Sequence, residues 1–169
     1  MMEGSRLTRS ADAPGKLDDA IRGARAGLLA TLAMSVPMFV ARRLGLIDPQ
    51  PPEEITARIA RRGGMRLNGT VLDVATGIAH LAFGGAAGSL YALGTEPAGP
   101  VPAGARVGFA YGAFIWAIAY LGALPRLGLV SRAGQGGWTR ELVMLFAHLV
   151  YGGVLGHLAR GDRDVADRA

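Results

Sequence analysis

Four stretches of this chain are apolar, nearly free of charge and long enough to cross a bilayer, and that narrows the possible folds more than any other feature. The charged residues collect instead in Met1–Arg25, Arg42–Arg66 and Arg160–Ala169. A charge at the bilayer centre costs at least ~2.5 kcal/mol, so segregation of this kind marks a membrane protein. Spread evenly, a chain that is 50% hydrophobic and 18% charged would suit a greasy globular domain. It is not spread evenly. The absence of cysteine excludes disulfides, thiolate metal sites, iron–sulfur clusters and covalent haem attachment. The net charge of +5 is nearly all arginine, and arginine beside membrane segments meets lipid headgroups more often than nucleic acid. No nucleic-acid-binding motif is present.

The spans are expected at about Gly23–Ala41, Thr70–Leu93, Val107–Leu124 and Leu142–Ala159. Met1–Lys16 is not expected to be a signal peptide, because the apolar stretch after it is long, lies well in from the terminus and ends in Arg42-Arg43. Pro37 should kink the first span and free the carbonyl of Ala33, with Ser35 at hand to re-satisfy it. Pro51-Pro52-Glu53-Glu54 is a helix start: proline lacks an amide the first turn does not use, and acids suit the positive end of the dipole. The short helix that follows puts Ile55 and Ile59 on one face and brings Arg58, Arg61, Arg62 and Arg66, which fits a helix lying on the membrane surface or a solvated loop. Tyr91, Tyr120 and Trp138 fall near expected helix ends, where amphipathic rings favour the headgroup region.

Two motifs occur twice. Ala79-His80-Leu81-Ala82-Phe83-Gly84-Gly85-Ala86-Ala87-Gly88 is echoed by Ala147-His148-Leu149-Val150-Tyr151-Gly152-Gly153-Val154-Leu155-Gly156, each with an acid seven residues before its histidine, Asp73 and Glu141. Arg-Leu-Gly-Leu stands at Arg43–Leu46 and again at Arg126–Leu129, after the first and third spans. The chain therefore reads as two tandem related helical hairpins, repeat 1 over 23–93 and repeat 2 over 107–159, duplicated in parallel. Residues 1–20 are expected to form a disordered tail, 21–160 the four-span domain and 161–169 a polar tail. The lysines and arginines divide evenly, nine to each side, so charge does not fix the orientation; cytoplasmic termini are the working expectation.

Within this frame the candidate residues are few. Arg43–Asp73 and Arg126–Glu141 are expected as structural ion pairs closing each hairpin. Gly84, Gly88, Gly152 and Gly156 strip side chains from one helix face, for close helix packing or to leave room for a flat ligand. His80 and His148 fall near mid-span, where an ionisable ring must find a partner. Three readings stand for them: bonding to a neighbouring helix's backbone, hydroxyl or aromatic partner such as Ser35, Tyr111 or Tyr120, a proton, ion or solute path, or bis-histidine ligation of one haem b. His157 lies on the opposite face, near Arg160, and reads as interfacial. There is no nucleophile elbow, phosphate-cradling Gly-Lys-Ser/Thr, His-Glu-x-x-His or paired acid, so no catalytic residues are assigned.

Ala26–Met34, Pro51–Thr56, His80–Gly84 and Ala147–Gly152 together resemble small bacterial inner-membrane proteins of unknown function, similar to the YagU-like proteins. The resemblance implies an integral protein of the bacterial cytoplasmic membrane and carries over no catalytic residue. The sequence is thus read as an all-α, four-span membrane helix bundle built from two related hairpins, with a short interfacial helix in the first loop. It is read as non-enzymatic and as a subunit or accessory of a larger membrane assembly. A transporter using His80 and His148 and a b-type haem electron carrier are the alternatives. No cofactor is expected outside the haem reading, and the expected partners are lipid, other membrane proteins or further copies of itself.

Overall fold

The computed structural model describes residues 15–47, 50–95, 104–130 and 137–166, with side chains of the last helix described as far as Arg160. The expected tail before residue 15, the connection over 96–103, the glycine-rich loop over 131–136 and the last three residues lie outside these. The described residues are all-helical and form a four-helix bundle with one additional short helix. Helix α1 spans Lys16–Arg43, α2 Pro51–Arg62, α3 Gly69–Gly94, α4 Ala105–Arg126 and α5 Trp138–Ala166. Dipole logic is visible at the ends: Asp18 and Asp19 sit in the first turn of α1 and Arg42 and Arg43 in its last, with Glu53 and Glu54 against Arg61 and Arg62 in α2.

Both outer helices run further than their apolar stretches suggest. Helix α1 starts at Lys16, so part of the expected tail is its first turn, where Asp19 is buried and pairs with Arg22. Helix α5 continues to Ala166, into the expected polar tail. Pro37 sits inside an unbroken α1, and the Ser35 hydroxyl goes to the carbonyl of Thr31 (2.7 Å) rather than to that of Ala33.

The repeated Arg-Leu-Gly-Leu is a helix stop. At the end of α1, Gly45 takes φ 70° and donates to Arg42, while Leu46 donates to Ala41. At the end of α4, Gly128 takes φ 62° and donates to Pro125, while Leu129 donates to Leu124. Paired bonds of this kind around a left-handed residue form a Schellman cap, and the arginine one residue before the cap position meets the negative end of the dipole. An L side chain in the left-handed region costs about 1–2 kcal/mol. Gly45→Ala and Gly128→Ala should each lower stability by about that much, read as a shift of the thermal midpoint in detergent.

Glycine sets how the spans pack. Helices α1 and α3 run antiparallel with Gly23 against Gly88 and Gly27 against Gly84, so close that a Cβ on any of the four would strike the facing helix. For Gly84 the obstacle is the Thr31 side chain, and for the others it is backbone. Helices α4 and α5 repeat the arrangement, with Gly104 against Gly156, Gly108 against Gly152 and Gly112 against the backbone of His148. Tyrosine hydroxyls join the hairpins. Tyr111 donates to the Ala87 carbonyl and Tyr151 to the Gly84 carbonyl, both at 2.7 Å. Hydrogen bonds between helices in membranes contribute about 0.6 kcal/mol on average. The core is filled by Ala26, Ala30, Met34, Met38 and Ala41 of α1 with Met144, Ala147, Tyr151, Leu155 and Ala159 of α5. Tyr91 belongs to this core at 2% exposure, its ring tilted against that of Tyr111 (centroids 5.2 Å), and not to the headgroup region. Trp138 is exposed, as an interfacial ring would be.

The registers fix the helix directions. Helix α3 is antiparallel to α4 (Tyr91 reaches Gly104 while Ala87 meets Tyr111), and α4 is antiparallel to α5, so α3 and α5, which carry the histidines, run parallel.

Candidate functional site

Helices α1 and α3 touch through glycine only at one end. Toward the α2 side they part, and Gly77 has open space where Gly84 and Gly88 have a neighbour. The gap is a partly open cavity of about 220 Å³, walled by Ser35, Met38 and Arg42 of α1 and by Asp73, Thr76, Gly77 and His80 of α3. Its roof is the start of α2: Gln50 Nε2 donates to the Met38 carbonyl (3.4 Å), and Glu53 accepts from Arg42 (3.3 Å). Asp73 is exposed at the mouth and His80 lies two turns further in, ~10.5 Å along the helix.

Two polar atoms in the wall are shut off from solvent and lack a partner among the described residues, His80 Nε2 and Thr76 Oγ1. A buried polar group without a hydrogen bond costs ~1–3 kcal/mol. Past His80, along the inner face of α3, hydroxyls recur at successive levels: Tyr151 at Gly84, Tyr111 at Ala87, and Tyr91, which donates to the Gly104 carbonyl (3.2 Å).

His148 is placed differently. Its Nδ1 lies 2.7 Å from the Met144 carbonyl, and because a carbonyl only accepts, Nδ1 carries the proton. Its ring meets Tyr120 edge-on at 5.8 Å. His148 thus has the neighbouring-helix aromatic partner expected of it, Tyr120, with its hydrogen bond made within α5, whereas His80 Nε2 has no partner among the described residues. His157 is exposed. The space that a flat ligand would need beside Gly84, Gly88, Gly152 and Gly156 is filled by the backbones and small side chains of α1 and α4. Among the described residues no group of three or more His, Asp or Glu is placed to hold a metal ion.

Neither Arg43–Asp73 nor Arg126–Glu141 is among the ion pairs of the described residues. Arg43 covers the Phe39 ring at 4.8 Å, and Arg126 lies back against Gly122 of its own helix. The arginines serve their caps, and α2 carries two paired carboxylates at this end, Glu53 and Glu54. Glu54 accepts from Arg140 of α5 (2.6 Å) and from Arg58 (2.7 Å). Burial opposes ionisation of Glu54, but hydrogen bonds and charge from Arg140 and Arg58 outweigh it and hold the carboxyl below its ordinary value. Sequence reasoning missed Thr76, Gln50, Glu54 and the tyrosine hydroxyls. The available signal was tyrosine where phenylalanine would fill a span equally well, since a buried hydroxyl needs a partner.

The bundle turns its bulk outward. Leu28, Leu29, Leu32, Val36 and Phe39 of α1, Val71, Val74, Ile78, Phe83 and Leu90 of α3, and Phe109, Phe114, Ile118 and Leu121 of α4 are all exposed, while the interior is mostly Gly, Ala and Met. Surfaces this apolar suit acyl chains and not water. With four helices long and apolar enough to span, the fold defines a multi-pass membrane protein in contact with the lipid bilayer. Residues 17–163 match the family model DUF6789, described as a family of unknown function, and the chain belongs to that family. No link to the YagU-like proteins is part of that match. Among curated proteins and among solved structures, nothing matches the chain.

Proposed function

We propose that this protein is a non-enzymatic membrane protein that takes up protons through the cavity beside α2 and passes them inward by way of His80. The observation that carries the reading is that His80, whose buried Nε2 has no partner among the described residues, lines a polar cavity within a span, with the carboxylate of Asp73 at its mouth. An intramembrane ionisable group of this kind is retained at a cost and marks a pathway by default. The cavity favours a proton over a larger solute, because the glycine-packed half of the bundle blocks anything with volume. A proton needs only hydrogen-bonding groups, and Tyr151, Tyr111 and Tyr91 supply them along α3 beyond His80. The glycine faces that would suit docking of another membrane protein are consumed inside the bundle, so an accessory role loses its main support.

The two hairpins are best read as one unit used twice, and the matched glycine contacts support this. Gly27 meets Gly84 and Gly88 as Gly108 meets Gly152 and Gly156. From Gly27 to Arg43 is 16 residues and from Gly108 to Arg126 is 18, and α4 widens to a π-helical segment over Ala117–Ala123 within that interval. A widened turn is how a helix absorbs inserted residues. Only the first copy carries α2 and hence the roofed cavity, so His80 and His148 have diverged in role.

The test is proton flux in proteoliposomes loaded with a pH-sensitive dye. Wild-type protein should conduct above empty liposomes, and His80→Ala and His80→Gln should fall to that background. His157→Ala, on the exposed face, should conduct like wild type. Flux unchanged in both His80 variants would remove the proposal.

A further inference from the structure

We infer a second site, for a phosphate group, at the membrane face where α2 meets the end of α4. Helices α1 and α4 are both antiparallel to α3, so their capped ends lie at the same face, and α2 lies across them there. Between α2 and the α4 cap is a cavity of about 250 Å³ lined by Arg58, Arg61, Arg62 and Gly128. Arg62 donates to the Leu127 carbonyl, and Arg58 to the Gly128 carbonyl at 3.1 Å. Those bonds anchor two guanidinium groups to the cap and leave further N–H donors on each.

The charge around the cavity is unbalanced. Arg61 and Arg62 form no ion pair among the described residues, and the carboxylate that Arg58 meets, Glu54, is shared with Arg140. Arg58 Nε is shut off from solvent and has no acceptor among the described residues. Three guanidinium groups line this one cavity with a single, shared carboxylate among them, which calls for an anion with several acceptor oxygens, and a phosphate oxygen set fits their fork geometry. The cavity stands at the end of a span, beside a helix with a basic face, which is headgroup depth. The same chemistry would hold the phosphate of an anionic phospholipid or free phosphate, and the lipid is the nearer source. This site is independent of the His80 pathway.

The experiment is native mass spectrometry of the full chain from zwitterionic detergent, with equimolar phosphatidylglycerol and phosphatidylcholine added. Wild type should retain phosphatidylglycerol preferentially, and Arg61→Gln with Arg62→Gln should weaken that preference about thirtyfold. Arg25→Gln with Arg106→Gln removes the same charge from exposed positions near the N-termini of α1 and α4, at the opposite face, and should leave the preference intact. Arg61→Lys with Arg62→Lys keeps the charge without the fork and should fall between. If calorimetry instead shows inorganic phosphate binding wild type and not the Gln pair, with no lipid preference, the site stands and its ligand is free phosphate. Equal loss in both Gln pairs, or neither lipid preference nor phosphate binding in wild type, would overturn it.

Discussion

Replacing Gly108 by alanine is expected to destabilise the bundle by about 2–3 kcal/mol, although alanine is the better helix former. The added Cβ would sit against the carbonyl group of Gly152 and close to the Cα of Gly156. All of those are backbone, so no rotamer change relieves the clash and α4 must move off α5. Gly27→Ala meets the Gly84 carbonyl in the same way and should behave alike. Gly77→Ala, on the same inner stripe as Gly84 and Gly88 but with nothing within 4 Å, should cost nothing measurable. Thermal unfolding in detergent across these variants separates the two classes. Equal behaviour at Gly77 and Gly108 would mean that helix propensity, and not close approach, explains the glycines. In the bilayer the effect goes beyond stability. Without a hydrophobic force between spans, association rests on contact between surfaces, and an intervening methyl forfeits that contact along the whole seam.

The second large effect is expected at Glu54. Its carboxylate is 13% exposed, Arg140 19% and Arg58 39%, which places the cluster between a buried pair and a surface one. Removing the charge by Glu54→Gln leaves Arg140 facing a neutral amide and should cost about 2 kcal/mol, between the ~1 kcal/mol of exposed pairs and the ~3–5 kcal/mol of buried ones. The pH dependence follows from the depressed value in the folded state. A carboxyl held below its ordinary 4.5 contributes stability that is fully present above that pH and is lost as pH falls through the folded value. The gap between wild type and Glu54→Gln should therefore be constant from pH 7 to about 5 and close at lower pH. Thermal midpoints of the two proteins side by side cancel the titration of every other carboxyl. A gap that persists at acid pH would show that Glu54 acts through shape and not charge. Because Glu54 ties α2 to α5, and Glu53 ties it to α1, the same variant should loosen the roof over His80.

How much of this was legible depended on whether the cause was local. The spans, the surface helix at Pro51 and the close packing implied by Gly-x-x-x-Gly follow from residues near one another in sequence, because bilayer thickness, dipole and Cβ sterics act over a few turns. The repeated Arg-Leu-Gly-Leu was visible too, but its meaning was not. Read as half of an ion pair, it is a Schellman cap whose arginine meets its own helix end, and only backbone angles at Gly45 and Gly128 reveal that.

By itself, then, the sequence determined a four-span membrane helix bundle, since lipid demands satisfied backbone and tolerates no stray charge. The tertiary structure alone decided which partners the polar groups take. Asp73 and Glu141 look alike in sequence, as do His80 and His148. Helix α2, which begins over the gap between α1 and α3, gives His80 a roofed polar cavity, while His148 spends its Nδ1 proton on its own helix. The difference arises from contacts between segments far apart in the chain, such as Gln50 with Met38 and Glu54 with Arg140, and no local pattern encodes those.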